Sequence, residues 1–344
     1  MKKIGILTGG GDCPGLNAVI RGVVEKCAKA GVECVGLKYG WKGAVEGDAR
    51  PLTLNDVDGL QTKGGTILGS SRTNVMKVEN GPEKVRATMQ KLGLDAIVAI
   101  GGDDTLGVAS KLTGMGMNMV GVPKTIDNDL SSTDYTFGFD TSANIVMESL
   151  DRLHTTAEAH ARTMVVEIMG RHTGWIAIQG GLAGNAHMVL LPEFPVHIDE
   201  ITGLVKTRKD NGKPYSIIAV AEGFWPEGLV LDSGEEKRDS FGNVVLPDRG
   251  VAKTLAEVIE KRTGAETRYV VLGHLQRGGA PSAFDRVLGT RMGIKAAELV
   301  LEGKFGHMVA LKGTEIVAVN IADAVSTRKM VDKALYDCAR LYER

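Results

Sequence analysis

Four acidic residues follow two short apolar runs, and the residues around them suggest chemistry. Ala96 to Ile100 leads into Gly101-Gly102-Asp103-Asp104-Thr105, and Met119 to Val122 leads into Pro123-Lys124-Thr125-Ile126-Asp127-Asn128-Asp129. If the apolar runs are buried strands, both turns lie at strand ends, where open α/β sheets bind their ligands. Carboxylates there can hold Mg²⁺ or take a proton from a hydroxyl, and glycines let backbone approach a phosphate. Acidic turn residues also cap helices. Capping accounts for one Asp per turn and leaves the grouping of Asp127, Asp129 and Lys124 without a reason. The chemistry that fits is phosphoryl transfer.

Two more loops have the composition of anion sites. Thr8-Gly9-Gly10-Gly11-Asp12-Cys13-Pro14-Gly15-Leu16-Asn17 joins a first strand to a first helix, exposing backbone N–H groups at a helix N-terminus. Its spacing is neither a Walker A loop nor a GxGxxG fingerprint, and tight-turn geometry alone also explains a glycine triplet. The second loop, Gly64-Gly65-Thr66-Ile67-Leu68-Gly69-Ser70-Ser71-Arg72, ends on a guanidinium that can grip phosphate or simply form a surface ion pair.

The elements that must position these loops alternate along the chain as βα units, which predicts an α/β fold with mostly parallel sheet. Strands are expected at Lys3–Leu7, Cys34–Leu37, Ala96–Ile100, Met119–Val122, Thr163–Ile168, Met188–Leu191, Tyr215–Ala221 and Tyr269–Leu272. Helices are expected at Leu16–Ala30, Pro82–Lys91, Ser142–Ala159, Gly174–Ala183, Asp199–Arg208, Gly250–Lys261, Ala283–Leu301 and Thr327–Tyr342. Trp225 to Arg249, rich in Gly, Pro and charge, reads as a surface insertion. A boundary falls near Phe137-Gly138, before a long helix without glycine.

The bulk numbers narrow the class. A chain of 344 residues is long enough for two domains or one large one. Lys and Arg number 41 against 42 Asp and Glu, so the basic excess of a nucleic-acid protein is missing. No run of eighteen apolar residues occurs, so no membrane span is expected. Met1 to Thr8 reaches the glycine turn too soon for a signal peptide and reads as a strand. Cys13, Cys27, Cys34 and Cys338 show no CxxC spacing, which fits a reducing cytoplasm better than a disulfide framework or zinc site. The 45 glycines cluster at strand ends, as phosphate handling needs.

Taken together, Gly9–Asn17, Gly64–Arg72, Gly101–Thr105, Pro123–Asp129, Phe137–Asn144, Met169–Gly174 and Leu272–Gly279 closely resemble, in order, motifs of the phosphofructokinase family. The resemblance implies two doubly wound Rossmann-like domains that phosphorylate the 1-hydroxyl of fructose 6-phosphate. On it, residues 1–138 with about 276–325 form the phosphoryl-donor domain, about 139–275 the sugar-phosphate domain, and 326–344 a C-terminal helix. Asp127 would be the general base, and Asp103 would hold Mg²⁺ with Asp129 nearby. Gly11, Arg72, Asp103, Asp104 and Thr105 would meet the donor. Thr125, Ile126, Asp127, Met169, Gly170, Arg171 and Glu222 would hold the sugar, with Arg171 also counted among the catalytic residues. His274 and Arg277 would bind the 6-phosphate, although a lone histidine after a strand is more often structural. Arg162 and Arg268 match arginines that the family supplies from a neighbouring subunit, which implies a homodimer or homotetramer with shared sites.

Two positions bear on the donor. Most ATP-using members of the family have glycines where Asp104 and Lys124 stand, leaving room for the nucleotide. A carboxylate about 4 Å from the α-phosphate of ATP, at an effective dielectric near 20, costs roughly 4 kcal/mol. That is about three orders of magnitude in affinity. The Lys124 ammonium can instead stabilise a departing phosphate, and the pair resembles members that use diphosphate. ATP is the alternative donor, since some ATP users also carry lysine here.

The effector site of bacterial relatives is also altered. Arg21 and Lys213 remain, but Glu25 and Leu54 stand where cations are expected. No strong response to ADP or phosphoenolpyruvate is therefore expected. An NAD or lipid kinase would lack the His274/Arg277 pair and the Thr125-Ile126-Asp127 turn. A non-catalytic subunit would have lost Asp103, Asp127 or Arg171, and a dinucleotide oxidoreductase would need another glycine spacing.

Overall fold

The computed structural model describes residues 1–229 and 250–343. The chain divides into two compact units, one formed by Met1–Thr141 with Arg277–Arg328 and the other by Ser142–Gln276 with Lys329–Arg344. Residues 230–249, most of the predicted surface insertion, lie outside the described residues.

Unit 1 is built on β1 (Lys3–Thr8), β2 (Glu33–Leu37), β3 (Ala49–Leu52), β4 (Ala96–Gly101), β5 (Met119–Pro123), β10 (His307–Lys312) and β11 (Glu315–Asn320). Their order is β11-β10-β5-β4-β1-β2-β3. β1, β2, β4, β5 and β10 run parallel, while β3 and β11 close the edges antiparallel. Every residue of β4 and β5 is buried, which explains their continuous apolar runs: a parallel strand covered on both faces has no polar side to alternate with. The helices of this unit are α1 (Leu16–Lys29), α2 (Trp41–Glu46), α3 (Leu54–Val57), α4 (Gly81–Leu92), α5 (Asp103–Gly114), α10 (Ala283–Leu301) and α11 (Ile321–Ala324), and it also holds the start of α6 (Phe139–Ala159). From β1 the chain moves outward to β2 and β3, then crosses to β4 on the other side. The loops after β1 and β4 therefore flank the point where strand order reverses.

Unit 2 has four strands, β6 (Thr163–Ile168), β7 (Met188–Leu190), β8 (Ser216–Ala221) and β9 (Thr267–Val271), in the order β7-β8-β6-β9, all parallel. Most of α6 belongs here, with α7 (Trp175–Ala183), α8 (Ile198–Asp210), α9 (Val251–Thr263) and α12 (Lys333–Arg340). Val165, Leu190, Ile218 and Val220 pack with Ile198, Ile201, Leu255 and Ile259 into its core.

All eight expected strands are present, within two residues of their expected starts, and the fold is α/β with mostly parallel sheets as predicted. The sequence reading missed β3, the β10–β11 hairpin, α5 and the short helices α2, α3 and α11. The expected helix Thr327–Tyr342 is a correction. It runs only from Lys333 to Arg340, because Asp332 caps it by accepting from Leu335 N at 2.8 Å. Before that cap the chain is held otherwise, with Val331 N donating to Glu193 Oε1 at 3.2 Å.

Candidate active site

In unit 1 the loops after β1, β4 and β5 are bound to one another by their own backbones. Gly9 N donates to Ile100 O at 2.9 Å, and Lys124 N to Gly101 O at 2.9 Å. The Gly64–Arg72 loop joins them: Gly10 N donates to Ser71 O at 3.0 Å, and Ser70 Oγ donates to Gly10 O. Asn17 stitches the same loop from beneath, donating to the carbonyls of Lys63 and Gly64 and accepting from Ile67 N at 3.0 Å. Two polar side chains thus order glycine-rich backbone that has no side chains to order it.

Two cations donate to the Gly11–Asp12 backbone. Lys124 Nζ donates to the Gly11 carbonyl, and Arg277 Nη1 donates to Asp12 O at 3.2 Å. A Cβ on Gly11 would lie 2.7 Å from Arg277 Nη1, so a side chain there would push that guanidinium aside. Lys124 is 4% exposed, and burial is the main cause pulling its pKa down, with Arg277 also lowering it against the opposing pull of Asp127 and Asp103. An anion here would stabilise the ammonium that burial disfavours.

Asp103 and Asp104 are the first two residues of α5, and Asp103 Oδ1 accepts from Asp104 N at 2.8 Å. Thr105, one residue on, is buried with its side chain against Gly9 and Gly101, where a Cβ at either would collide with it. What Thr105 can offer a donor is its N–H in the first helical turn. The Thr125–Asp129 turn is shaped by Thr136 and Asn128: Thr136 Oγ1 donates to Thr125 O at 2.7 Å, and Thr136 N to Asn128 Oδ1 at 3.0 Å. Asp127 N donates to Thr125 Oγ1 at 3.0 Å. Ile126 is fully buried, so its side chain serves the core and leaves only its backbone to a substrate.

Asp129 is pushed up to about 7, first by burial and then by the negative charges of Asp127 and Asp103, with Arg328 acting against them. Carboxylates crowded in this way suit a hard divalent cation. Among the described residues no group of three or more His, Cys, Asp or Glu forms a ready metal cage. Mg²⁺ that arrives with phosphates needs only one or two carboxylates, so Asp103 and Asp129 fit that role.

In unit 2 the loops after β6, β8 and β9 carry the other candidates. Gly170, at φ +138, donates its N–H to Glu222 Oε1 at 3.3 Å, and a Cβ on it would stand 2.5 Å from Thr173 O. This places Met169-Gly170-Arg171 beside Glu222. Glu193, which the sequence reading missed, accepts from Gly174 N at 3.0 Å with both oxygens and holds the far end of the same loop. Gln276 was missed as well. It is fully buried, accepts from Met169 N at 3.3 Å and donates to Gly273 O at 3.1 Å. Gln276 lies in the 3₁₀ turn Gly273–Arg277, in which residues three apart eclipse, so His274 and Arg277 share a face. His274 is exposed.

Arg162 and Arg268 are elsewhere in unit 2. Arg162 precedes β6 and Arg268 is the second residue of β9, at the N-terminal edge of a parallel sheet whose C-terminal edge carries Arg171, Glu222 and His274. The six residues of β6 span about 17 Å at roughly 3.3 Å each. Both arginines pair with Glu266, Arg162 Nη2 at 3.0 Å and Arg268 Nη2 at 2.6 Å.

Comparison with known proteins identifies the family. Residues 3–300 match the phosphofructokinase family. The chain is 56% identical over 344 residues to a pyrophosphate–fructose 6-phosphate 1-phosphotransferase of Amycolatopsis methanolica, covering 99% of both chains. It is 50% identical to ATP-dependent 6-phosphofructokinase 3 of Streptomyces coelicolor, covering 97% of this chain and 98% of the relative. The crystal structure of Pichia pastoris phosphofructokinase in the T-state superposes with a TM-score of 0.84 at 30% identity, over 99% of this chain and 37% of that longer one. Fold, loop order and sequence together lead to one conclusion: this chain belongs to the phosphofructokinase family.

Proposed function

We propose that this chain transfers a phosphoryl group reversibly from inorganic diphosphate to the 1-hydroxyl of fructose 6-phosphate, giving fructose 1,6-bisphosphate and phosphate, a step of glycolysis and gluconeogenesis. The observation that carries the donor assignment is the buried Lys124 ammonium on the Gly11 carbonyl, with Asp104 at the start of α5. A small dianionic leaving group meets the ammonium, whereas a nucleotide meets a carboxylate. The 56% identical relative bears the diphosphate-using name. The second reading, ATP as donor, is favoured by the 50% identical relative named for ATP. Initial rates with Mg-diphosphate and Mg-ATP at equal concentration decide between them. Turnover with ATP alone would leave only the second reading.

In this reading Asp127 accepts the proton of the sugar 1-hydroxyl as its oxygen bonds to the terminal phosphorus, and Lys124 meets the oxygen released when the bridging bond breaks. Gly11, Arg72 and the first-turn N–H groups of α5 hold the diphosphate, with Asp104 beside them. Asp103 and Asp129 would hold Mg²⁺, which supplies neutralisation of phosphate charge. Met169-Gly170-Arg171, Glu222 and the Thr125–Asp127 backbone orient the sugar, and His274 and Arg277 face its 6-phosphate. Unit 1 is thus the donor domain, and unit 2 the sugar-phosphate domain, including the C-terminal segment.

The same reading makes the protein a homodimer or homotetramer with shared sites. Its support is the placement of Arg162 and Arg268 at the sheet edge opposite Arg171 and His274, so they serve the site of another copy. β9 adds exposed Tyr269 and Val271 beside them. A solution mass of one chain in the active state would overturn this. Weak effector control fits the Arg21–Glu25 pair at 3.4 Å, which occupies a cation that a nucleotide diphosphate would need. A cytoplasmic setting fits the four free cysteines. No helix among the described residues is long and apolar enough to cross a membrane.

A further inference from the structure

The donor-side carboxylates have a neighbour that no motif marks. Arg328 is the last residue of unit 1, and its backbone bridges Leu130 antiparallel, one residue beyond Asp129. From there its Nη2 lies 3.7 Å from Asp103 Oδ2, both side chains being a little under half exposed. The backbone bridge fixes where the arginine starts, and the solvent-facing side chain stays free to turn. A pair this long and this wet is weak, so it can be exchanged for a better partner.

We infer that Arg328 is the counter-ion of the metal-binding carboxylate: it pairs with Asp103 in the metal-free enzyme and turns to the oxygens of metal-held diphosphate once Asp103 takes the cation. This rests on the assignment of Asp103 to Mg²⁺ and of diphosphate as donor. The physical reason is charge order. A divalent ion on Asp103 repels the guanidinium, and the diphosphate beside it is the nearest anion left to accept it. A planar guanidinium suits carboxylate and phosphate equally, with the same fork of donors. Asp103 is thereby kept from repelling the incoming donor, and a cation already stands beside the phosphates when the metal arrives. Arg328 acts through Asp103 first and touches the donor second, so the two affinities should move in opposite directions when it is removed.

The test uses the full-length protein and the variants Arg328→Gln and Arg328→Lys. Mn²⁺ alone is titrated by the loss of its free electron-spin-resonance signal, and KM is measured for Mg-diphosphate and for fructose 6-phosphate. Arg328→Gln should bind Mn²⁺ about three- to fivefold more tightly, the worth of one half-exposed ion pair. Its KM for Mg-diphosphate should rise about tenfold, the worth of one charge-assisted hydrogen bond, with fructose 6-phosphate within about twofold. Arg328→Lys should restore both values to within about threefold, since the charge remains although the fork is lost. Unchanged or weaker Mn²⁺ binding in Arg328→Gln, or a parallel rise in the sugar-phosphate KM, would overturn the inference. So would Mn²⁺ binding that survives in Asp103→Asn. The metal titration needs no donor, so a protein that ignores diphosphate refutes the proposed function and still leaves the Arg328–Asp103 exchange measurable.

Discussion

The ammonium of Lys124, at the end of β5, donates to the main-chain carbonyl of Gly11 in the loop after β1. Two loops more than a hundred residues apart in sequence are tied by one buried cation. Arg277 reaches the same backbone from the turn after β9 and donates to Asp12 O. Positive charge is therefore gathered on the glycine loop before any phosphate arrives. In the proposed reaction the Lys124 ammonium, already in place, would stabilise the departing phosphate without reorganisation.

Asp104→Gly should lower turnover with diphosphate and bring measurable turnover with Mg-ATP. Removing one carboxylate near the α-phosphate position relieves a repulsion on the order of 4 kcal/mol at most. Initial rates with both donors check it. A variant that still ignores ATP shows that Asp104 is not the main barrier to the nucleotide.

Asp127→Ser should cut kcat by roughly 10²- to 10⁴-fold, the usual worth of a general base. KM for fructose 6-phosphate should change little, because the lost interaction belongs to the transition state. Steady-state kinetics at saturating donor suffice, and a near-normal kcat rejects the assignment.

Gln276→Leu removes a buried amide that serves Met169 N and Gly273 O. Two backbone groups then lose their partner, at a cost of about 1–3 kcal/mol. Because the amide ties the Met169 loop to the turn carrying His274, KM for fructose 6-phosphate should rise several-fold while KM for diphosphate stays put. Lower stability with an unmoved sugar-phosphate KM would reduce Gln276 to a packing role.

His187 should make the protein lose stability as pH falls below the ordinary histidine range. Its Nδ1 accepts from Ile217 N at 2.8 Å, and its ring meets those of His154 and Tyr215 edge-on. Burial first, then the charges of Arg208, His154 and Lys213, pull its pKa down to about 3. Between that value and about 6.5 the unfolded chain binds the proton and the folded one does not. Stability is then lost by up to about 1.4 kcal/mol per pH unit as pH falls. Asp285, pushed up to about 6 mainly by burial, works in the opposite sense because its folded form holds a proton that the unfolded form releases. The comparison is therefore between wild type and His187→Asn. Denaturant midpoints from pH 7 to pH 5 should fall more steeply for wild type, and parallel curves would rule the histidine out.

Much of this protein was written in short-range order. The buried runs of β4 and β5 are apolar throughout because both faces are covered, and glycines mark the turns at the strand ends. α5 escaped because its first turn, Asp103-Asp104-Thr105, reads as loop until helix and strand are seen to abut. The β10–β11 hairpin carries a legible turn, Gly313-Thr314 between two short apolar runs. Sequence alone thus determined the fold class and the order of the loops, and it supplied the side chains proposed to meet phosphate.

Tertiary structure decided the rest, since hydrogen bonds and charges act through space and carry no trace in spacing. It put Gln276 under Met169, Glu193 under Gly174 and Arg328 against Asp103, partners 19 to 225 residues away along the chain. It buried Ile126 and Thr105, leaving only their backbones to a ligand. It also set Arg162 and Arg268 at the opposite sheet edge from Arg171, because parallel strands point all their C-terminal ends one way.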